Sequence, residues 1–244
     1  MDMYDVFNNS SDLAEYAANK AVEILNNAIK IKGWAIWVIS GGSAPMLAYK
    51  YLVYNHKNSL DWSRVYIILG DERCDNDYEQ YSNWFAIDKL FLSKMSFDYK
   101  KLLKPGFDED NIAAAIEYSK KITTLFSQLK SNEIDLLWLG LGEDGHTLSL
   151  FPGFKEIENM NELVIPVFNS PKAPANRISL GLKCLENVNN TYILAPGVSK
   201  QNIIPKIVDS STSNNLPILK VISYLKVHGS KTNLMLDKES AELI

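Results

Sequence analysis

Apolar side chains at Leu13, Tyr16, Ala17, Ala21, Ile24, Leu25 and Ala28 recur at a helical period. Asp12 followed by Glu15 has the spacing of a capping box, and Gly33 offers a stop, so a helix is predicted between them. The pattern then changes. Residues 34–39 (Trp34, Ala35, Ile36, Trp37, Val38, Ile39) are continuously apolar with no alternation, the habit of a strand buried on both faces of a parallel sheet. Ser40, Gly41, Gly42, Ser43, Ala44 and Pro45 follow, and a second helix is predicted over 46–54.

The same order repeats downstream. A buried strand over 65–69 runs into Gly70, Asp71, Glu72 and Arg73, and a helix is expected over 83–92. Ile112, Ala115, Ile116, Ser119, Ile122 and Phe126 mark an amphipathic helix over 111–129. A strand over 134–139 then delivers Gly140, Leu141, Gly142, Glu143, Asp144, Gly145 and His146. Weaker apolar runs at 163–167, 177–181, 192–194 and 218–224 are read as further strands, and the Ser/Asn-rich stretch 209–215 as a surface loop. Strands alternating with helices, with glycine at the strand ends, predict an α/β fold. The expected form is a Rossmann-like open, mostly parallel sheet with helices on both faces. Ligands of such sheets bind beyond the carboxyl ends of the strands. No linker or repeat divides the chain, so residues 1–244 are expected to form a single domain.

Composition narrows the function classes. The formal net charge of −4 gives no basic footprint for nucleic acid or for an anionic membrane surface. The run at 34–39 is far shorter than the roughly 20 residues of a membrane-spanning helix. The first twelve residues carry three Asp and no Lys or Arg, unlike the basic start of a signal peptide. Cys74 and Cys184 lie in no metal-type spacing and suit reduced thiols. A cytoplasmic protein is expected.

Four segments have the residue types for chemistry. Gly41 and Gly42 let backbone approach a ligand closely, and N–H groups at the following helix start favour phosphate; the same glycines also suit a plain strand-to-helix turn. Arg73, with Asp71 and Glu72 beside it, presents a planar fork suited to phosphate oxygens. Asp75, Asp77 and Glu79 read as a solvated acidic loop. Of the three histidines, His56 and His228 sit among polar residues, whereas His146 follows a strand in a glycine-rich loop with Asp144 two residues away. An imidazole titrating near 6.5 suits proton transfer at neutral pH. Lys172, Arg177 and Lys200 lie beside predicted strands, as partners of Arg73 around one phosphate or as scattered surface cations.

Taken in order, these segments resemble the 6-phosphogluconolactonases, within the wider superfamily that includes glucosamine-6-phosphate deaminases. The signposts are Ser40–Ser43, Asp71–Arg73, Ser82 with Asn83, 140–153, Ser170–Lys172 with Arg177, Gly197 with Lys200, Leu216 with Pro217, and Leu236 with Asp237. After the loop histidine the chain reads Ser149, Leu150, Phe151, Pro152, Gly153, as lactonases do. Deaminases typically carry Phe-Asn-Glu-Pro there, with the glutamate taking part in their chemistry, and an aromatic residue at the position of Arg73. Ala44, Glu143 and Met235 depart from the usual lactonase residues without removing a polar group assigned to chemistry.

The resemblance implies hydrolysis of 6-phospho-D-glucono-1,5-lactone to 6-phosphogluconate in the oxidative pentose phosphate pathway, by a monomer without cofactor or metal. It implies His146 as the base that activates water and Asp144 as its orienting partner. Gly41, Gly42, Ser43, Asp71 and Gly145 would line the substrate site. Arg73, Lys172, Arg177 and Lys200 would hold the phosphate. A deaminase-type enzyme and a non-catalytic sugar-phosphate-binding protein are the alternative readings.

Overall fold

The computed structural model describes residues 4–74, 78–106, 110–209 and 215–244. Its strands in chain order are β1 (Tyr4–Phe7), β2 (Ala35–Ile39), β3 (Val65–Leu69), β4 (Asp71–Arg73), β5 (Leu102–Leu103), β6 (Ile134–Gly140), β7 (Val164–Val167), β8 (Arg177–Leu180), β9 (Val188–Leu194) and β10 (Lys231–Asp237). The helices are α1 (Ser10–Lys32), α2 (Ser43–Asn55), α3 (Tyr78–Tyr81), α4 (Asn83–Leu90), α5 (Asn111–Leu129), α6 (Ile204–Val208) and α7 (Pro217–Val227). Seven strands pair in the order β1-β10-β9-β6-β2-β3-β5, every pair parallel.

The unbroken apolar run over 34–39 is explained by two cores, one on each face of this sheet. Along β2, Ile36 and Val38 enter the core packed by α5 and α7, while Ala35, Trp37 and Ile39 enter the core packed by α1, α2 and α4. A strand with both faces covered has no polar side to display. The second core is strongly aromatic: Trp37 meets Trp138 edge-on at 4.7 Å, and Tyr49 stacks on Phe91 at 5.2 Å.

Several expectations are corrected. The run 218–224 is not a strand but the body of α7. Pro217 opens this helix, and Ile218, Val221, Ile222 and Leu225 are its buried stripe. The β-branched residues favour strand, but the spacing of the buried positions is helical. Strands β1 and β10 were not anticipated, since β1 is an edge strand and β10 mixes polar and apolar positions. Helix α1 begins before Asp12: Asn9 is the cap, its side chain accepting from the Asp12 N–H at 2.9 Å. Glu15 bonds Tyr51 instead. Gly33 does end the helix, at φ 83°. Residues 210–214 of the expected surface loop lie outside the described residues, as do Asp75, Asp77 and the side chain of Glu79.

Sequence patterning also missed a second, antiparallel sheet, β4-β8-β7. It starts where β3 ends. Gly70 donates to the Ile39 carbonyl at 2.8 Å and accepts from Leu180 N–H at 2.8 Å, carrying the chain from one sheet into the other. A side chain has no room there: a Cβ on Gly70 would lie 2.7 Å from Leu148. The register of β4 against β8 puts Arg73 opposite Arg177. Two cations are thereby held close together over the end of the parallel sheet.

Candidate functional site

The strand order reverses between β2 and β6: from β2 the chain proceeds outward to β3 and β5, and from β6 in the other direction to β9 and β10. Crevices at such switch points are where open α/β sheets bind ligands. Here the crevice is a cleft of about 190 Å³. The segments after β2, β3, β6 and β9 all line it. It gathers nine of the eleven residues singled out in the sequence: Gly41, Gly42, Ser43, Asp71, Arg73, His146, Lys172, Arg177 and Lys200.

The first wall is the start of α2. Gly42, at φ 97°, caps this helix without any side-chain hydrogen bond, and the first turn holds no acidic residue. The helix start therefore keeps its positive end open to the cleft. The segment is pinned from behind: Tyr49 donates to the Ser40 carbonyl at 2.9 Å, and the Ser40 hydroxyl donates to the Trp138 carbonyl at 2.9 Å. Burial pushes the Tyr49 hydroxyl far above its ordinary range, so it remains a donor.

The second wall carries the histidine. His146 Nδ1 lies 2.5 Å from Asp144 Oδ1, and the same oxygen accepts from the His146 N–H at 3.2 Å. With Nδ1–H committed to Asp144, the neutral ring has its lone pair on Nε2. The ring also packs on Phe151 with centroids 4.8 Å apart. Burial lowers the His146 pKa below 6.5 and the Lys172 ammonium adds to this, against the opposing pull of Asp144 and Asp71. The imidazole is thus neutral at pH 7. Burial acts to raise Asp144, but the His146 bonds and Lys172 bring its carboxyl below the ordinary value.

Asp144 is outside the cleft lining and acts on it through His146 and through the nearby Lys172 ammonium. Gly145 is also set back: at φ 84° it turns the loop, its carbonyl accepts from Ile218 N–H, and its face lies against Leu216. Gly142, which the sequence reading did not single out, matters more. A Cβ there would fall 1.9 Å from His146 Nδ1 and 2.5 Å from Asp144 Oδ1. Gly142→Ala is therefore expected to displace the pair and cut turnover at least tenfold. Overpacking of this kind costs about 1–3 kcal/mol of stability. Steady-state rates alongside a thermal melt check this, and an unaltered rate would mean the pair is not needed.

The third wall is cationic. Arg73 Nη1 donates to the Tyr81 carbonyl at 2.8 Å, while its buried Nε–H meets no acceptor among the described residues. Arg177 is only 4% exposed and is largely engaged. Its Nε donates to Ser170 Oγ and the Pro174 carbonyl, and its Nη2 to the carbonyls of Lys172 and Ala173. Its guanidinium lies 5.4 Å from the Phe151 ring centroid. Arg177 thereby shapes the loop that presents Lys172, whose ammonium stands 3.9 Å from Asp144. Lys200 is half-buried, and burial lowers its pKa.

Below these cations, Asp71 accepts from Ser149 Oγ at 2.7 Å and from Asn83 Nδ2 at 3.3 Å. Glu72 is turned away from the cleft. It accepts from the N–H groups of Arg73, Asn83 and Trp84 and from Ser82 Oγ, all within 2.9 Å, and so ties β4 to the start of α4. Burial raises its pKa against the pull of these donors. Asn83 and Thr147 are further lining residues that sequence reasoning passed over. Ser82 and Asn83 were visible as a helix start and as a signpost of the family resemblance, with no site role attached. Both cysteines are free thiols pushed up to about 12, chiefly by burial. Among the described residues no cluster of His, Cys, Asp and Glu is suited to a metal, and no helix is long and apolar enough to cross a membrane.

Comparison with known proteins places this cleft in a family. The family described as glucosamine-6-phosphate isomerases/6-phosphogluconolactonase matches residues 8–228. A relative from Saccharomyces cerevisiae, 6-phosphogluconolactonase 3, is 31% identical over 240 residues, covering 96% of this chain and 94% of its own. The crystal structure of a 6-phosphogluconolactonase from Shewanella baltica superposes with a TM-score of 0.81 at 27% identity, over 96% of this chain and 97% of that one. A monomeric glucosamine-6-phosphate deaminase superposes with a TM-score of 0.80 at 20% identity, over 99% and 100% of the two chains, a likeness of fold alone. The family match across nearly the whole chain, with a relative of this identity, means that the chain belongs to the glucosamine-6-phosphate isomerase/6-phosphogluconolactonase family.

Proposed function

We propose that the chain hydrolyses 6-phospho-D-glucono-1,5-lactone to 6-phosphogluconate, with His146 as the general base. The observation that carries this reading is His146, held from behind by Asp144, sharing one cleft with an open helix start and a group of cations. His146 Nε2 takes a proton from water as the water oxygen attacks the lactone carbonyl. The proton then passes to the ring oxygen as the C–O bond breaks, giving the open acid. Asp144 holds the ring and favours its transient positive charge. The 6-phosphate sits against the N–H groups of 42–44, with Arg73 and Lys200 beside it. A δ-lactone is an activated ester, so the proposed route uses no metal. The same proposal has the chain act as a single-domain monomer in the cytoplasm.

A deaminase reading is less well supported. Where deaminases carry a glutamate after the loop histidine, this chain has Leu150, Phe151 and Pro152, and Phe151 is buried beneath the imidazole. No glutamate is among the described residues that line the cleft.

Proton release from freshly generated lactone, against a blank without enzyme, tests the proposal. Acceleration over the blank is expected, because the lactone also opens spontaneously. Release of ammonia from glucosamine 6-phosphate instead would replace the lactonase reading by the deaminase one. The pH profile carries the role of His146: a base must be deprotonated, so activity is full above its pKa and falls as pH drops through it. The acid limb of kcat/KM is expected below 6.5, since burial lowers this imidazole. Lys172→Met removes a cation that disfavours imidazolium, so the limb should move to higher pH. A limb unmoved in that variant would separate Lys172 from His146.

A further inference from the structure

Asn83 is a buried side chain whose two ends do different things. Its Nδ2 donates to the Asp71 carbonyl at 3.0 Å and to the Asp71 carboxylate at 3.3 Å. Both of these partners are acceptors, which fixes the amide orientation: the NH₂ must face Asp71 and the carbonyl oxygen must face the other way. That oxygen, Oδ1, points at Gly41, where an added Cβ would lie only 2.0 Å from it. Gly41 is thus a glycine because Asn83 occupies its side-chain space. Both residues line the cleft. Although Asn83 is 4% exposed overall, Oδ1 is not a sealed orphan, and no described group donates to it.

The position of this acceptor is set by the backbone as well. The Glu72 carboxylate holds the Asn83 N–H at 2.7 Å and the Trp84 N–H at 2.8 Å. A carbonyl oxygen held from both sides, next to the phosphate cradle and without a donor of its own, is built to receive one from a ligand. The phosphate has no hydrogen to offer at neutral pH beyond partial protonation. The ring hydroxyls of a sugar lactone have.

Resting on the lactonase reading of the cleft, we infer that Asn83 is a specificity-determining contact: its Oδ1 accepts a hydrogen bond from one ring hydroxyl of the phosphorylated sugar lactone. The cradle and cations hold the phosphate end, and Asn83 reads the hydroxylated ring between that end and His146. The site then discriminates against lactones that lack this hydroxyl, because the buried oxygen would be left unpaired.

The test crosses the protein with its substrate. Wild type and Asn83→Ala are assayed on 6-phosphogluconolactone and its 2-deoxy, 3-deoxy and 4-deoxy analogues, and both proteins are titrated calorimetrically with 6-phosphogluconate and the corresponding deoxy acids. Wild type should lose about tenfold in kcat/KM on one analogue, the scale of one such hydrogen bond. Asn83→Ala should show a comparable loss on the parent lactone and no further loss on that same analogue. A variant that loses equally on all four substrates would overturn the contact, since a purely structural role through Asp71 predicts that additivity. So would a wild type indifferent to every missing hydroxyl. If alanine does not fold, Asn83→Ser, too short to reach the same point, is read in the same way. Absence of lactone turnover in wild type would sink the lactonase reading but leave the calorimetric comparison able to decide the contact. Absence of any 6-phosphogluconate binding would sink both.

Discussion

Replacing His146 by alanine should lower turnover of the phosphorylated lactone by about 10²–10⁴-fold, the usual contribution of a positioned general base. Binding of 6-phosphogluconate should change little. The expectation follows from how few ties the side chain has: among the described residues it bonds only Asp144, and it packs on Phe151. Its removal deletes the base without dismantling the cradle or the cations across the cleft. Asp144→Asn is expected to give a smaller loss, because Nδ1–H keeps an acceptor there but the imidazolium loses its counter-charge. Rates must be corrected for spontaneous opening of the lactone. A variant lacking His146 that still accelerates the reaction like wild type would remove this residue from the mechanism.

The second large effect is expected at Arg73. Its guanidinium is tied to the Tyr81 carbonyl on one side, and its buried Nε–H has no acceptor among the described residues. Arg73 also lines the cleft, where a phosphate oxygen would accept from the remaining donors of its guanidinium fork. Hydrogen bonds to charged groups contribute about 1.5–3 kcal/mol. Arg73→Ala should therefore raise KM for the phosphorylated lactone by roughly ten- to a hundredfold, with kcat less affected. The unphosphorylated gluconolactone is the control. If its KM rose as steeply, Arg73 would be supporting the Tyr81 turn rather than binding phosphate. Arg177→Ala should behave differently. Most of its donors already hold the carbonyls of 172–174, so its loss should disturb the Lys172 loop and lower stability with either lactone.

Much of this site was legible along the chain, for a local reason. Gly41–Ser43, Asp71–Arg73 and 140–146 each follow a fully buried apolar strand, and in a parallel sheet all such strand ends emerge on one edge. Reading the strands was therefore enough to bring their termini together. His146 and Asp144 were legible because they share one loop. The departures came where neighbours decide. Gly145 reads like any glycine of that loop, but its contact is Leu216, 71 positions along the chain from it in α7's approach. Arg177 reads as a free cation, yet the fold spends its donors on its own preceding loop. Gly142 and Asn83 fall in segments that carry the resemblance, but nothing there gives them a role of their own: the first is defined by the imidazole lying over it, the second by Gly41 from another strand end.

The sequence by itself determined the α/β class, the buried strands β2, β3 and β6, the glycine-rich ends that follow them and the family to which they belong. These depend on short-range periodicity and on residue types a few positions apart, which a chain displays before it folds. Only the tertiary structure decided that 218–224 is helical and that β4 leaves the parallel sheet to pair with β8. It alone decided that Arg177 is engaged with its own preceding loop and that Asn83 turns its amide oxygen toward Gly41. Each of these is set by contacts between segments far apart in the chain. A side chain's partners, and so its remaining hydrogen-bonding capacity, exist only once those segments are packed together.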